Sequence, residues 1–178
     1  MLRKIRRIVT GHNAQGKSVI ASDAPSPHVL SLMTDPPFGL TDLWVTHGSP
    51  ADNSGSADGA ARPAITLEPP RGGSIFRVVE FPPDQATAGK LDRKKLFEAM
   101  RAGGAMDHEG TRHAGMHKTA TVDYAVVLSG EIYAVMDEGE TLMRAGDCLV
   151  QRGTNHAWSN RSNATCLVAF ILVSANPL

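Results

Sequence analysis

His113–Gly130, HAGMHKTATVDYAVVLSG, and Gly146–Asn160, GDCLVQRGTNHAWSN, are the stretches on which the fold turns. In an extended chain, residues of one parity share a face. His117, Thr119, Thr121 and Asp123 are therefore expected to project together, with His113 able to join them, while His156 and Trp158 share a face of a later strand. A sheet that closes would bring the His156 imidazole to the side chains of His117 and Asp123. Two imidazoles and one carboxylate can grip a divalent cation and leave open positions. The same set can work without metal, because a carboxylate orients a histidine and raises its basicity. A third reading stays open beside these: core histidines satisfied by Asp123 and the Thr119 hydroxyl, with no chemistry.

Outward from these stretches the chain reads as strand after strand, over 119–128, 131–136, 140–144, 147–151, 156–159 and 165–173, with turns at Ser129-Gly130, Glu138-Gly139 and Ala145-Gly146. Close spacing of short strands with glycine turns predicts an all-β antiparallel sandwich or barrel. Upstream, Ile5–Thr10 and Lys17–Ala21 form an expected hairpin, and Thr41–Thr46 and Ser74–Phe81 are expected strands, the latter stopped by Pro82-Pro83. Residues 47–63 have loop composition. Lys90–Arg101 carries Leu96, Phe97 and Met100 at helical offsets, Asp92 as a cap and Gly103-Gly104 beyond its end, which predicts one short helix. There is no glycine-rich phosphate loop between a strand and a helix, which argues against a dinucleotide enzyme or a P-loop NTPase.

The two stretches resemble the paired motifs of the cupin superfamily. His117 stands at the first histidine of the first motif, Thr119 at the second, Asp123 at its acidic position and Gly130 at its closing glycine, while Thr111 replaces the opening glycine. Gly146, Gly153, His156 and Asn160 match the second motif, with one residue fewer between the glycines and Gln151 or Arg152 where proline is usual. The resemblance spans about residues 74–173. It implies a double-stranded β-helix, or jelly-roll, barrel over 74–178, with residues 1–73 as an N-terminal extension of strands and loop and the helix inserted before the first motif. It further implies an enzyme acting on a small molecule in the barrel interior, of oxygenase, decarboxylase, isomerase or lyase type. His117, Asp123 and His156 would hold a divalent metal (Fe, Mn, Ni or Zn), with His113, Thr119 and Trp158 lining the pocket. A metal-free acid–base enzyme using the same three residues, and a binding module without turnover, are the alternatives. Segment 84–112 is placed to fold over the mouth, and a homodimer with a contribution from the N-terminal strands is expected.

Composition sets the surroundings. The 178 residues suit one domain. Eighteen basic side chains balance eighteen acidic ones, so no global field recruits nucleic acid or acidic lipid. Arg3, Lys4, Arg6 and Arg7 are expected on the solvated side of a first strand, without the apolar stretch of a signal peptide. The longest apolar run, Cys166–Val173, is far short of the ~20 residues that span a bilayer. Cys148 and Cys166 lie in apolar runs without a CxxC pattern, which predicts buried free thiols in a reducing cytoplasm. Tyr124 and Tyr133 are expected to pack, and His12, His28, His47 and His108 to be solvated.

Overall fold

Alternating apolar residues become antiparallel strands wherever a neighbouring strand can take up their backbone groups. The computed structural model describes residues 1–102, 104–106 and 112–177, with Arg93 described by its backbone alone. Thr111 and the Asp107-His108-Glu109 triplet lie outside the described residues. The strands are β1 (Arg6–His12), β2 (Ser18–Pro25), β3 (Val29–Met33), β4 (Phe38–Thr46), β5 (Ser74–Phe81), β6 (Thr121–Ser129), β7 (Glu131–Met136), β8 (Glu140–Arg144), β9 (Cys148–Gln151), β10 (His156–Ser159) and β11 (Cys166–Ser174).

A six-stranded sheet runs β3-β4-β5-β11-β6-β9 and a three-stranded sheet runs β10-β7-β8, with every pair antiparallel. β11 lies inside the larger sheet, and its near-continuous apolar sequence fits a strand covered on both sides. The sheets face each other: Ile132, Ala134 and Met143 of the smaller pack with Val79, Val127 and Val168 of the larger in one core cluster. Each of the larger ones, Ile132, Met143 and the three valines, contributes on the order of 1.5–3 kcal/mol when removed from water. The fold is thus all-β, of the jelly-roll type expected. β1 and β2 form a separate hairpin, and β4 adds to the barrel along β5. Among the described residues no helix is long and apolar enough to cross a membrane.

Several expectations are corrected. The helix expected over Lys90–Arg101 is α2, Arg93–Ala99, preceded by a single turn, α1 (Asp84–Thr87). Asp92 caps α2 by accepting the Lys95 amide at 3.2 Å, and Arg101 adopts φ 52°, which no helix continues. Its apolar face buries Phe97 and Met100 in the core. Strand β3 was not expected from sequence; its short VLSLM run gains its partner from β4. Arg7 is not solvated: its guanidinium binds Asp58 at 2.6 Å and 2.8 Å, and His28 Nε2 meets the same carboxylate at 3.0 Å, so residues 47–63 are tied to the hairpin. Ile8 takes the solvent side instead. Cys166 is buried, but Cys148 is exposed, because it lies in β9 at the sheet's edge.

Candidate active site

The first motif divides between the two sheets. His117 pairs with His156 through an isolated antiparallel bridge, and so extends the three-stranded sheet beyond β10. The chain then bends at Ala120, and Asp123 lies in β6 of the opposite sheet. Both histidines and the aspartate therefore face one space from two sides. This space is a cavity of about 330 Å³. Its walls are mostly apolar, with Leu40, Phe81, Phe97, Trp158, Phe170 and Leu172 among them, and its polar groups include Arg77, Asp84, His113, His117, Asp123 and His156. Trp158 packs edge-on to Phe170, ring centroids 5.1 Å apart, and lies 5.9 Å from His156.

The polar groups lie at two depths. Asp123 is 5% exposed and His156 2%. The side chains of His113 and Asp84 are 26% and 40% exposed, so they form the solvent side of the cavity. Asp84 is held in place by the Ser159 hydroxyl at 2.6 Å and the Asn160 amide at 3.1 Å. His113 Nδ1 accepts from the Gly115 amide at 3.0 Å, so its proton sits on Nε2, which faces Asp84 at 3.8 Å.

In the interior, the His117 and His156 rings stand 4.2 Å apart between centroids. His117 Nδ1 donates to the Gly115 carbonyl at 2.8 Å. His156 Nδ1 lies against the Thr154 carbonyl and the Gln151 side-chain amide. Burial, and then the neighbouring His117, push His156 down to about 3, so it is neutral at physiological pH. Asp123 goes the other way. Desolvation raises it to about 6, against a hydrogen bond from Thr121 and the positive charge of Arg77. Its Oδ1 is buried with no hydrogen-bond partner. Arg77 is itself committed: Nε donates to Asp42 at 2.9 Å and Nη2 to the Thr66 carbonyl at 2.7 Å, while Arg62 binds the other oxygen of Asp42.

Of the sequence-based site residues, His113, His117, Asp123, His156 and Trp158 line the cavity and Thr119 does not. Its hydroxyl is bonded to Thr121 at 2.8 Å, and it lines a separate depression beside Met106 and Lys118. Thr119 and Thr121 keep the common face expected of them, but the chain passes from one sheet to the other there, and neither lines the cavity that His117 and Asp123 reach. Among the described residues no three His, Cys, Asp or Glu side chains converge closely enough to hold a metal ion. His113 turns its Nε2 to Asp84. The two imidazoles stand together, but no third His, Cys, Asp or Glu side chain among the described residues joins them closely, Asp123 included, so the described residues as placed do not fit the divalent metal that the motifs imply. Arg77 and Asp84 were missed from sequence. A lone arginine inside the apolar strand SIFRVVEF was the available signal for the first.

Comparison with known proteins agrees with this architecture. The Cupin_2 family (Cupin domain) matches residues 105–173. The chain is 32% identical over 184 residues to "Phomopsin biosynthesis cluster protein C'" of Diaporthe leptostromiformis, across 99% of this chain and 82% of that protein. It is 30% identical over 164 residues to "Cupin-domain-containing oxidoreductase srdD" of Neurospora crassa, across 89% and 68%. With "Cupin-domain-containing oxidoreductase virC" of Hypocrea virens it shares 27% identity over 185 residues, across 99% and 79%.

Proposed function

The chain belongs to the cupin superfamily, and on that premise we propose that it is a small-molecule enzyme whose apolar cavity holds the substrate while Asp123, His117 and His156 handle a proton. The observation that carries this is the placement of His156 and Asp123, 2% and 5% exposed, in the inner part of one mostly apolar cavity, where burial keeps the imidazole neutral and raises the carboxyl group to about 6. Two titratable groups driven in opposite senses by their surroundings divide acid and base work between them. Above about pH 6 the Asp123 carboxylate is ionised and takes the proton. His156, neutral and lining the cavity, is placed to hydrogen-bond a substrate heteroatom, with the His117 ring beside it. The apolar walls exclude water and so strengthen each of these interactions. Relatives named for biosynthesis clusters and as oxidoreductases support a biosynthetic enzyme. The part of such a reaction that these side chains carry is proton transfer.

The test uses 5-nitrobenzisoxazole, a compact apolar probe for a general base. The base removes the C3 proton, the ring N–O bond breaks as the nitrile forms, and a coloured phenolate is released. Wild-type protein should accelerate release beyond the same concentration of acetate, with a rate rising through about pH 6 and falling at least tenfold in Asp123→Asn. Equal rates for wild type and Asp123→Asn would overturn the assignment.

A further inference from the structure

We infer that the ligand of this cavity is a neutral, flat, largely apolar ring compound carrying a hydroxyl group, which it donates to Asp123 Oδ1. The inference rests on the acid–base reading above and names the substrate class for that same site.

Three observations carry it. First, Asp123 is 5% exposed, lines the cavity, and has one carboxyl oxygen without a partner. Buried acceptors are as a rule satisfied, and one left open beside a cavity asks for a donor from whatever fills it. Second, the nearby cation is not open to an anionic ligand. Arg77 spends Nε and Nη2 on Asp42 and Thr66, and its Nη1 faces the Leu67 carbonyl at 3.5 Å. A carboxylate or phosphate on the ligand would thus meet the charge of Asp123 without a free guanidinium fork to receive it. Third, most of the remaining wall is apolar, with the charged Asp84 at the solvent side. Phe81, Trp158 and Phe170 form a continuous aromatic cluster, with Phe81 and Trp158 6.5 Å and Phe81 and Phe170 6.4 Å apart between centroids. A sugar would bury several hydroxyls against this wall with nothing to bond them. A flat ring loses nothing there and gains offset or edge contacts. The size fits as well: about 330 Å³ is more than twice the ~150 Å³ engineered cavity that takes up benzene.

The experiment titrates the full chain at pH 7 by calorimetry with three bicyclic probes: 2-naphthol, which donates; 2-methoxynaphthalene, which only accepts; and 2-naphthoate, an anion. The expected order is 2-naphthol tightest, at least tenfold ahead of each of the others. In Asp123→Ala the advantage of 2-naphthol over 2-methoxynaphthalene should fall to within about twofold. In Asp123→Asn, which keeps the shape but adds a donor, it should fall as well, so the test survives if the alanine variant does not fold. Equal binding of all three probes, tightest binding of 2-naphthoate, or an unchanged ratio in both variants overturns the inference. If Asp123-dependent turnover of 5-nitrobenzisoxazole persists in that event, the ligand class fails and the acid–base reading stands. If no probe binds and that turnover is also absent, both fall together.

Discussion

His117 and His156 are bonded backbone to backbone, the amide of each donating to the carbonyl of the other at 2.9 Å and 3.0 Å, with ring centroids 4.2 Å apart. This bridge, isolated from the named strands, is what brings the two sequence motifs into one site. Two imidazoles so close cannot both be protonated without strong repulsion. Burial first, and then the neighbouring His117, keep His156 in its neutral form.

Opposite linkage to pH follows from His156 and Asp123. The unfolded His156 takes a proton near 6.5 while the folded one resists until about 3, so its contribution to stability is lost as pH falls through that window. Asp123, raised from 3.8 to about 6, is protonated first in the folded state, so its contribution is lost as pH rises from 3.8 to about 6. Each changes stability by up to ~1.4 kcal/mol per pH unit, and between about pH 4 and 6 they oppose each other. Relative to wild type, Asp123→Asn should lose stability on acidification from pH 6 to 4 and His156→Gln should gain it, by ~2 kcal/mol each. Urea titrations at several pH values check this, and three parallel profiles would refute it.

Asp42 is fully buried, sits opposite Arg77 across β4 and β5, and is shared by Arg62 and Arg77. Asp42→Asn leaves both guanidiniums without their anion and should cost about 3–5 kcal/mol. Replacing the pair together, Asp42→Leu with Arg77→Met, should cost less than the single change, since no unpaired charge then remains at position 77. Denaturant unfolding of the two variants gives the comparison, and a costlier double variant would contradict it.

Gly153 and Gly146 both adopt positive φ, at 66° and 95°, and differ in their surroundings. A Cβ on Gly153 would lie 3.1 Å from the Thr119 carbonyl oxygen and 3.3 Å from that of Thr121, the segment whose bend separates His117 from Asp123. A Cβ on Gly146 meets nothing within 4 Å. Gly146→Ala should cost only the backbone strain, on the order of 1 kcal/mol. Gly153→Ala should cost more and also lower the rate with 5-nitrobenzisoxazole. Equal melting temperatures and rates in the two variants would show that the bend does not depend on Gly153.

The thiols should separate by reactivity. Cys148 is exposed, whereas Cys166 is 0% exposed and burial pushes its thiol up to about 11. Thiolate is the reacting species. In native protein at pH 8 a disulfide reagent such as DTNB should modify one thiol per chain promptly, and the second only in denaturant. Prompt modification of both, or of neither, would contradict this placement.

The fold was legible in the sequence because its determinants are local. Alternation of apolar residues marked strands β5 to β11 within a residue or two, and Gly130, Gly146 and Gly153 marked reversals that need positive φ. The pairing of His117, His156 and Asp123 in one pocket was also within reach, since two spaced motifs named them. Parity could not reveal that the chain changes sheets at Ala120, because it says which side chains share a face and not which sheet that face belongs to. The displacement of Thr119 from the cavity therefore lay beyond a one-dimensional pattern. The same limit holds for Arg77 and Arg7, whose partners Asp42 and Asp58 stand 35 and 51 positions away. Sequence alone determined which residues alternate, which turn, and which imidazoles and carboxylate are available. Tertiary structure decided which of them share one cavity and which oxygen is left wanting a donor, because burial and pairing are properties of neighbours brought together only when the two sheets pack face to face.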